Sequence, residues 1–164
     1  MDDTTLDDTT PTQPRVEHCV DVDASPDDVW HTHTDPVELA RWLDAEVVLD
    51  LEPGAVGRVT DADGTVREVL VTEVEPGRVL AWHWWEDGGE LSSVEITTVP
   101  IDDGTRVRIV ECLATPAAPR GTSAQASAVR PGPLGTLDQR WQHSLVILAA
   151  DVGAGAGRLV AARR

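Results

Sequence analysis

The sequence has no phenylalanine, tyrosine or lysine, and it contains one methionine and two cysteines among 164 residues. The cysteines, Cys19 and Cys112, are too few for a disulfide framework and too far apart for a Cys-x-x-Cys metal or redox motif. No apolar run approaches the length of a membrane span, and no charged-then-apolar leader opens the chain. We therefore expect reduced thiols and a cytoplasmic protein.

Basic side chains are also scarce, because 13 arginines face 29 acidic residues and give a formal net charge of −16. A chain this acidic is repelled by the phosphate backbone of nucleic acids and by anionic bilayers. The composition therefore argues against nucleic-acid binding and membrane binding. The length suits a single domain with a sizeable core.

The longest apolar pattern predicts an α-helix over residues 137–152. Its apolar side chains recur at steps of four, four, three and four, which places them on one helical stripe: Leu137, Trp141, Leu145, Leu148 and Val152. Glycines at 153, 155 and 157 end the pattern. A stripe this long requires a large partner surface, which the rest of the chain must supply.

Almost everything between Arg15 and Leu113 reads as strands, starting with an alternating strand over residues 15–22. Ser25 and Pro26 then open a short helix, and a second one covers residues 37–43. Six more strands follow, separated by turn residues, at 46–51, 56–60, 66–74, 78–85, 91–99 and 105–113. The pattern predicts an α+β fold in which a curved seven-stranded antiparallel sheet wraps around the C-terminal helix.

The remaining segments have no apolar periodicity. We expect residues 1–14 to be a disordered acidic tail and residues 153–164 to be a C-terminal tail. Residues 114–134 are rich in Ala, Pro, Ser and Gly, and we interpret them as a flexible insertion, either a lid or, preferably, an inert connection. The predicted domain therefore covers residues 15–152.

The aromatic side chains other than histidine are all tryptophan, six in number. Alternation places Leu80, Trp82 and Trp84 on one face of the fifth strand. Indoles either fill a core or line a cavity, and we assign at least half of these to the core. We expect Trp141 to face inward, toward Trp82 or Trp84.

Polar candidates are few. His18 and Glu111 fall on inward faces of the first and last strands, where they would form a buried pair, either structural or active in acid–base chemistry. His33 would turn a polar group into the interior. His31 and His33 lie two residues apart on a helix and point in different directions, so we predict no metal site. Alternation turns Cys19 and Cys112 outward, so if the first and last strands pair antiparallel, the two thiols share the outer face and are candidates for close neighbours.

Five segments together resemble a known family: DASPDDVWHTHTDPVELARWL (23–43), LDLEPG (49–54), EVEPGRVLAWHW (73–84), DGTRVRIVE (103–111) and RWQHSLVILAADV (140–152). Their order resembles the helix-grip fold of the START and birch-pollen-allergen-like (SRPBCC) superfamily. Within it, the segments look like homologues of the activator of heat-shock-protein-ninety ATPase. That family has no shared catalytic set, so the resemblance fixes architecture better than activity.

The resemblance implies a cavity between the sheet and the C-terminal helix that binds a small apolar or aromatic molecule without a cofactor. The expected ligand-binding residues are His18, Trp30, His33, Trp42, Leu80, Trp82, Trp84, Glu111, Trp141 and Leu145. Two alternatives remain: an enzyme of the polyketide cyclase or aromatase type using the same cavity, and a chaperone-partner module. A chaperone or a second copy of the chain would then be the protein partner.

Overall fold

The computed structural model describes residues 14–113, 134–153 and 159–160. Its elements run, in chain order, β1 Arg15–Val22, α1 Pro26–Thr34, α2 Pro36–Leu43, β2 Ala45–Val48, β3 Val56–Asp61, β4 Val66–Glu75, β5 Val79–Glu86, β6 Ser92–Ile101, β7 Gly104–Leu113, α3 Leu134–Gly153 and β8 Leu159–Val160. The predicted α+β helix-grip fold is confirmed, with two short helices after the first strand.

The strands form one antiparallel sheet in the order β2-β3-β4-β5-β6-β7-β1-β8. Successive strands from β2 to β7 are neighbours, as the short turns predict, and β1 pairs with β7, as the helix-grip resemblance implies. Most predicted boundaries shift by one to three residues, and two differences concern the sheet. β2 ends at Val48 rather than Leu51, and Leu159–Val160 pairs with Val22 and Asp21 as a short eighth strand, within a segment predicted to be only a tail.

The two short helices are capped as the sequence indicates. Ser25 Oγ accepts a hydrogen bond from Asp28 N at 3.2 Å and donates to Asp28 Oδ2 at 2.7 Å. Asp35 separates the helices, and its Oδ1 accepts from Val37 N at 2.9 Å and Glu38 N at 3.1 Å. One aspartate therefore ends α1 and caps α2, which sets a sharp corner between them.

The turn between β6 and β7 requires glycine. Gly104 has a φ of +138°, and a Cβ at this position would lie 2.1 Å from the carbonyl oxygen of Val22. The hairpin therefore approaches the end of β1 more closely than any side chain would permit.

The core lies between the concave face of the sheet and the three helices, and α3 packs against β1 and α2. Trp42, Trp84 and Trp141 are at most 2% exposed, as are Leu80 and Trp82. The core interpretation of these tryptophans is therefore correct for most of them. Leu145 and Leu148 of the predicted helical stripe are also buried.

The cysteines follow the predicted faces but not the predicted spacing. Both thiols are free, and both lie on the outer face of the paired strands β1 and β7. Cys19 is opposite Arg108, however, and Cys112 is opposite Arg15. The prediction that they are close neighbours is wrong, because alternation fixes the face of a residue but not its register.

Three predicted segments fall wholly or partly outside the described residues. These are the acidic tail up to residue 13, the insertion at 114–133, and most of the C-terminal tail. Pro14 is described, and its carbonyl oxygen accepts a hydrogen bond from Leu113 N at 3.0 Å. No helix in the described ranges is long and apolar enough to cross a membrane.

Candidate functional site

A buried carboxylate lies where the sheet and α3 meet. Glu111, on the inward face of β7, is 2% exposed. Its Oε1 accepts from Trp84 Nε1 at 2.8 Å and from Ser92 Oγ at 2.6 Å, and its Oε2 accepts from Trp141 Nε1 at 2.7 Å. Indole N–H groups only donate, so an ionised, acceptor-only carboxylate matches this arrangement. The three donors offset part of the cost of burying Glu111.

The indole rings around Glu111 pack on one another. Trp84 and Trp141 are stacked, with ring centroids 5.8 Å apart and an interplanar angle of 23°. Trp42 lies 6.2 Å from Trp141, and Trp82 meets Trp84 edge-on at 5.8 Å. The prediction that Trp141 faces Trp82 or Trp84 is confirmed. These rings occupy space beneath α3 that the sequence interpretation left available to a ligand.

Two arginines cover Trp84. The guanidinium carbons of Arg140 and Arg67 lie 4.9 and 5.3 Å from its ring centroid, a cation–π arrangement. Both arginines form ion pairs with Asp61, and Arg67 also reaches Glu86 at 3.1 Å. Burial, then repulsion from Arg67, lowers the pKa of Arg140, and Asp61 opposes the shift. This cluster joins α3 to the end of β3, the start of β4 and the end of β5.

A pocket of about 190 Å³ opens beside Glu111, where β4 and β6 begin and β5 and β7 end. Its described lining consists of Arg67, Trp84, Trp85, Glu86, Gly89, Glu90, Ser92, Glu111 and Leu113. Glu111 is the most deeply buried charged group there, since the side chains of Arg67 and Glu86 are 14% and 53% exposed. The pocket therefore connects solvent with the buried carboxylate.

The predicted ligand-binding residues divide into two groups. Trp84 and Glu111 line the pocket. The others lie outside its described lining, fully buried in the core or, for His18 and Trp30, half-buried: His18, Trp30, His33, Trp42, Leu80, Trp82, Trp141 and Leu145. Trp141 still acts on the pocket indirectly, because it binds Glu111.

The two candidate histidines lie at different distances from Glu111 along the fold. Val16 stands opposite Glu111, and His18 stands opposite Ile109, one diagonal step away. The indoles and Ser92 occupy three acceptor positions of the carboxylate, and the predicted His18–Glu111 pair stays a prediction.

His33 lies elsewhere in the core, 5.5 Å from Trp42 in a ring contact, and its two nitrogens have no hydrogen-bond partner among the described residues. Burial lowers its pKa to about 4, so the ring is neutral at pH 7.

Sequence reasoning missed Ser92, Asp61, Arg67 and Arg140. Two of them carried a usable signal, because alternation puts Ser92 on the face of Val94 and Arg67 on the face of Val69. A polar or charged side chain at an inward position needs a hydrogen-bond or ion-pair partner inside the protein. The partners themselves come from distant segments and leave no local pattern.

The prediction of no metal site stays a prediction. Within residues 14–113, 134–153 and 159–160, no group of three or more His, Cys, Asp or Glu side chains is placed to hold a metal ion.

The sequence profile of the family described as "Activator of Hsp90 ATPase homolog 1-like protein" matches residues 23–152. The chain belongs to this family. The match covers every described element from α1 to α3, including Trp84, Glu111 and Trp141. No curated protein matches the sequence significantly.

Several solved structures have a fold similar to that of this chain. Protein MLL2253 from Mesorhizobium loti is 19% identical, covers 88% of this chain and 100% of its own, and has a TM-score of 0.70. The Aha1 dimer from Colwellia psychrerythraea is 14% identical, with 88% and 99% covered and a TM-score of 0.65. DynU16, from the dynemicin biosynthetic locus, is 23% identical, with 88% of this chain but 48% of its own covered and a TM-score of 0.69. Identities this low show a common fold alone.

Proposed function

We propose that the chain binds a small, largely apolar molecule on the concave side of its sheet, in the pocket beside Glu111. The observation that carries this proposal is an open pocket with a buried carboxylate at its inner end, held in place by three hydrogen bonds. A binding site needs both a fixed polar group and an entrance, and the pocket beside Glu111 provides the two together.

The lining supports this proposal chemically. Trp84, Trp85 and Leu113 offer apolar surface, and Glu111 and Ser92 offer polar atoms that would fix the orientation of a ligand. Trp84 is itself held between Trp141 and the two arginines, so the site is preorganised. A volume of 190 Å³ falls below the roughly 300–1,000 Å³ of pockets that enclose drug-sized ligands. The proposed ligand is therefore a single ring, or the end of a longer molecule.

The test uses benzyl alcohol as a neutral one-ring probe and follows backbone amide shifts by NMR as it is added. We expect shifts concentrated at the ends of β5, β6 and β7, with saturation. Native mass spectrometry of the protein purified from its own host would then give the mass of the natural ligand.

A pocket-filling variant provides the control. Leu113→Trp puts a large ring at the pocket wall and should abolish the saturable shifts. Leu91→Trp introduces the same ring at an exposed position outside the lining and should leave them unchanged. Equal binding by both variants, or shifts scattered over the surface without saturation, would refute the pocket as the binding site.

The structure gives the enzymatic alternative less support. A cyclase-type reaction in this cavity would need several polar groups to converge, and the sequence offered His18, His33 and Glu111 for that role. Of these, Glu111 alone is in the described lining of the pocket, and His33 is sealed in the core. Proton transfer by His33 to a ligand at Glu111 would require the core to open.

One observation favours a second function, that of a chaperone-partner module. At the β2–β3 edge, Val48 and Val56 are 64% and 66% exposed. Val48 stands opposite Arg58, which is paired with Glu68, and Val56 lies two residues before Arg58 on β3. The family description names activation of the Hsp90 ATPase, and an exposed mixed patch suits transient protein contact. Titration of the host's own Hsp90 with wild-type protein and with Val48→Asp tests this. Binding that the substitution does not weaken would exclude this edge.

A further inference from the structure

The charges around the pocket are unbalanced. Its described lining contains three carboxylates, on Glu86, Glu90 and Glu111, against the single guanidinium of Arg67. That guanidinium is already shared between Asp61 and Glu86. The pocket therefore carries excess negative charge where a ligand would enter, and the overall charge of −16 reinforces it.

Glu111 retains capacity for one more donor. A carboxylate offers about four lone-pair positions, and three are used here: two on Oε1, and one on Oε2 by Trp141. All three donors are neutral, so none cancels the charge of the carboxylate. Arg67 and Arg140 form ion pairs with Asp61, and the charge of Glu111 acts on Arg140 without a described hydrogen bond between them. A cationic donor entering from the pocket would thus meet a buried carboxylate whose described hydrogen bonds all come from neutral groups.

The apolar part of the lining lies beside these acids. Trp84 and Leu113, on the same face of the sheet as Glu111, supply apolar surface within a pocket sized for one ring. We propose that the ligand class is a small protonated amine carrying one aromatic or comparable apolar group, with its ammonium on Glu111 and its ring against this wall. The inference rests on the proposed ligand-binding function and narrows it to one charge type.

The test compares three one-ring compounds of nearly equal size by calorimetry at pH 7 and low salt: benzylamine, benzyl alcohol and benzoate. A charge-assisted hydrogen bond in a buried site separates the first two by about tenfold in Kd or more. Benzoate should bind most weakly, because it meets like charge. Raising the salt concentration should weaken benzylamine binding and leave benzyl alcohol unchanged.

Two variants in the pocket lining and one control variant locate the preference for the amine. Glu111→Gln should remove most of the advantage of benzylamine over benzyl alcohol, but it also puts an amide where Trp141 or Trp84 donates. Glu90→Gln, at an exposed lining position, keeps that network and should reduce the advantage about two- to fivefold. Glu95→Gln removes the same charge from the outer face and should leave the advantage unchanged.

The outcomes separate this inference from the proposed function. Equal binding of the three compounds in the pocket would overturn the amine preference and leave the ligand-binding function standing. An equal loss of the benzylamine advantage in Glu90→Gln and Glu95→Gln would overturn it too, because the preference would then reflect net charge. Failure of all three compounds to bind the folded protein would overturn the ligand-binding function as well.

Discussion

The neutral His33 ring makes the stability of the fold depend on pH. In the folded protein its pKa is lowered from 6.5 to about 4, because the ring is completely buried. Between these values the unfolded chain binds a proton at this position and the folded chain does not, so the free energy of unfolding decreases as the pH falls. The contribution of His33 is fully present above pH 6.5 and is lost as the pH approaches 4.

The difference of about 2.5 pKa units corresponds to about 3 kcal/mol in total, and to about 2 kcal/mol between pH 7 and pH 5. The perturbation is His33→Leu, which replaces the ring with an apolar side chain that cannot titrate. Urea unfolding followed by far-UV circular dichroism at pH 7, 6 and 5 measures the free energy for both proteins. Wild type should lose about 2 kcal/mol more than His33→Leu across this range.

The carboxylates titrate in both proteins and cancel in the comparison. His31→Gln serves as the control, because His31 is an exposed histidine on α1. Its pH profile should stay closer to that of wild type than the profile of His33→Leu does. Parallel profiles for wild type and His33→Leu would refute the reasoning, since they would mean that His33 is protonated equally in the folded and unfolded states.

Three further predictions follow from the packing. Trp141→Ala should lower the free energy of unfolding in urea by about 3–5 kcal/mol, because it leaves a cavity and removes a donor from Glu111. A decrease below about 1 kcal/mol would contradict the burial of Trp141. Gly104→Ala should lower stability by about 1–3 kcal/mol, because its Cβ meets the Val22 carbonyl, and an unchanged melting temperature would mean that the turn relaxes freely. Burial raises the pKa of the Cys19 thiol, so at pH 8 mass spectrometry should find its alkylation slower than that of free cysteine, and equal rates would contradict the shift.

Local patterns predicted most of the fold. Alternation placed Glu111 inward, Ser25 marked the start of α1, and the helical stripe located α3, because each depends on residues close together in the chain. Local patterns did not predict the register between strands. The offset between Cys19 and Cys112 is set by how whole strands align, and alternation is unchanged when a strand slides by two residues.

The site was harder to predict than the fold, for a related reason. The donors to Glu111 lie 19, 27 and 30 residues away in sequence, and the apolar stripe that identified Trp141 contains no information on where its N–H points. The interpretation of the tryptophans as a cavity lining treated them as separate surfaces. In the structure they stack on one another, so the room for a ligand lies at their edge rather than among them.

The stacked pair of Trp84 and Trp141 also affects the near-ultraviolet circular dichroism of the protein. Without tyrosine or phenylalanine, the near-ultraviolet spectrum is due almost entirely to indole. Two indoles fixed 5.8 Å apart at 23° couple their electronic transitions, which gives a paired positive and negative band in circular dichroism. Trp84 lines the pocket, and Trp141 binds the same carboxylate. A molecule bound as proposed would disturb this coupling, so circular dichroism would report occupancy of the pocket without an added label.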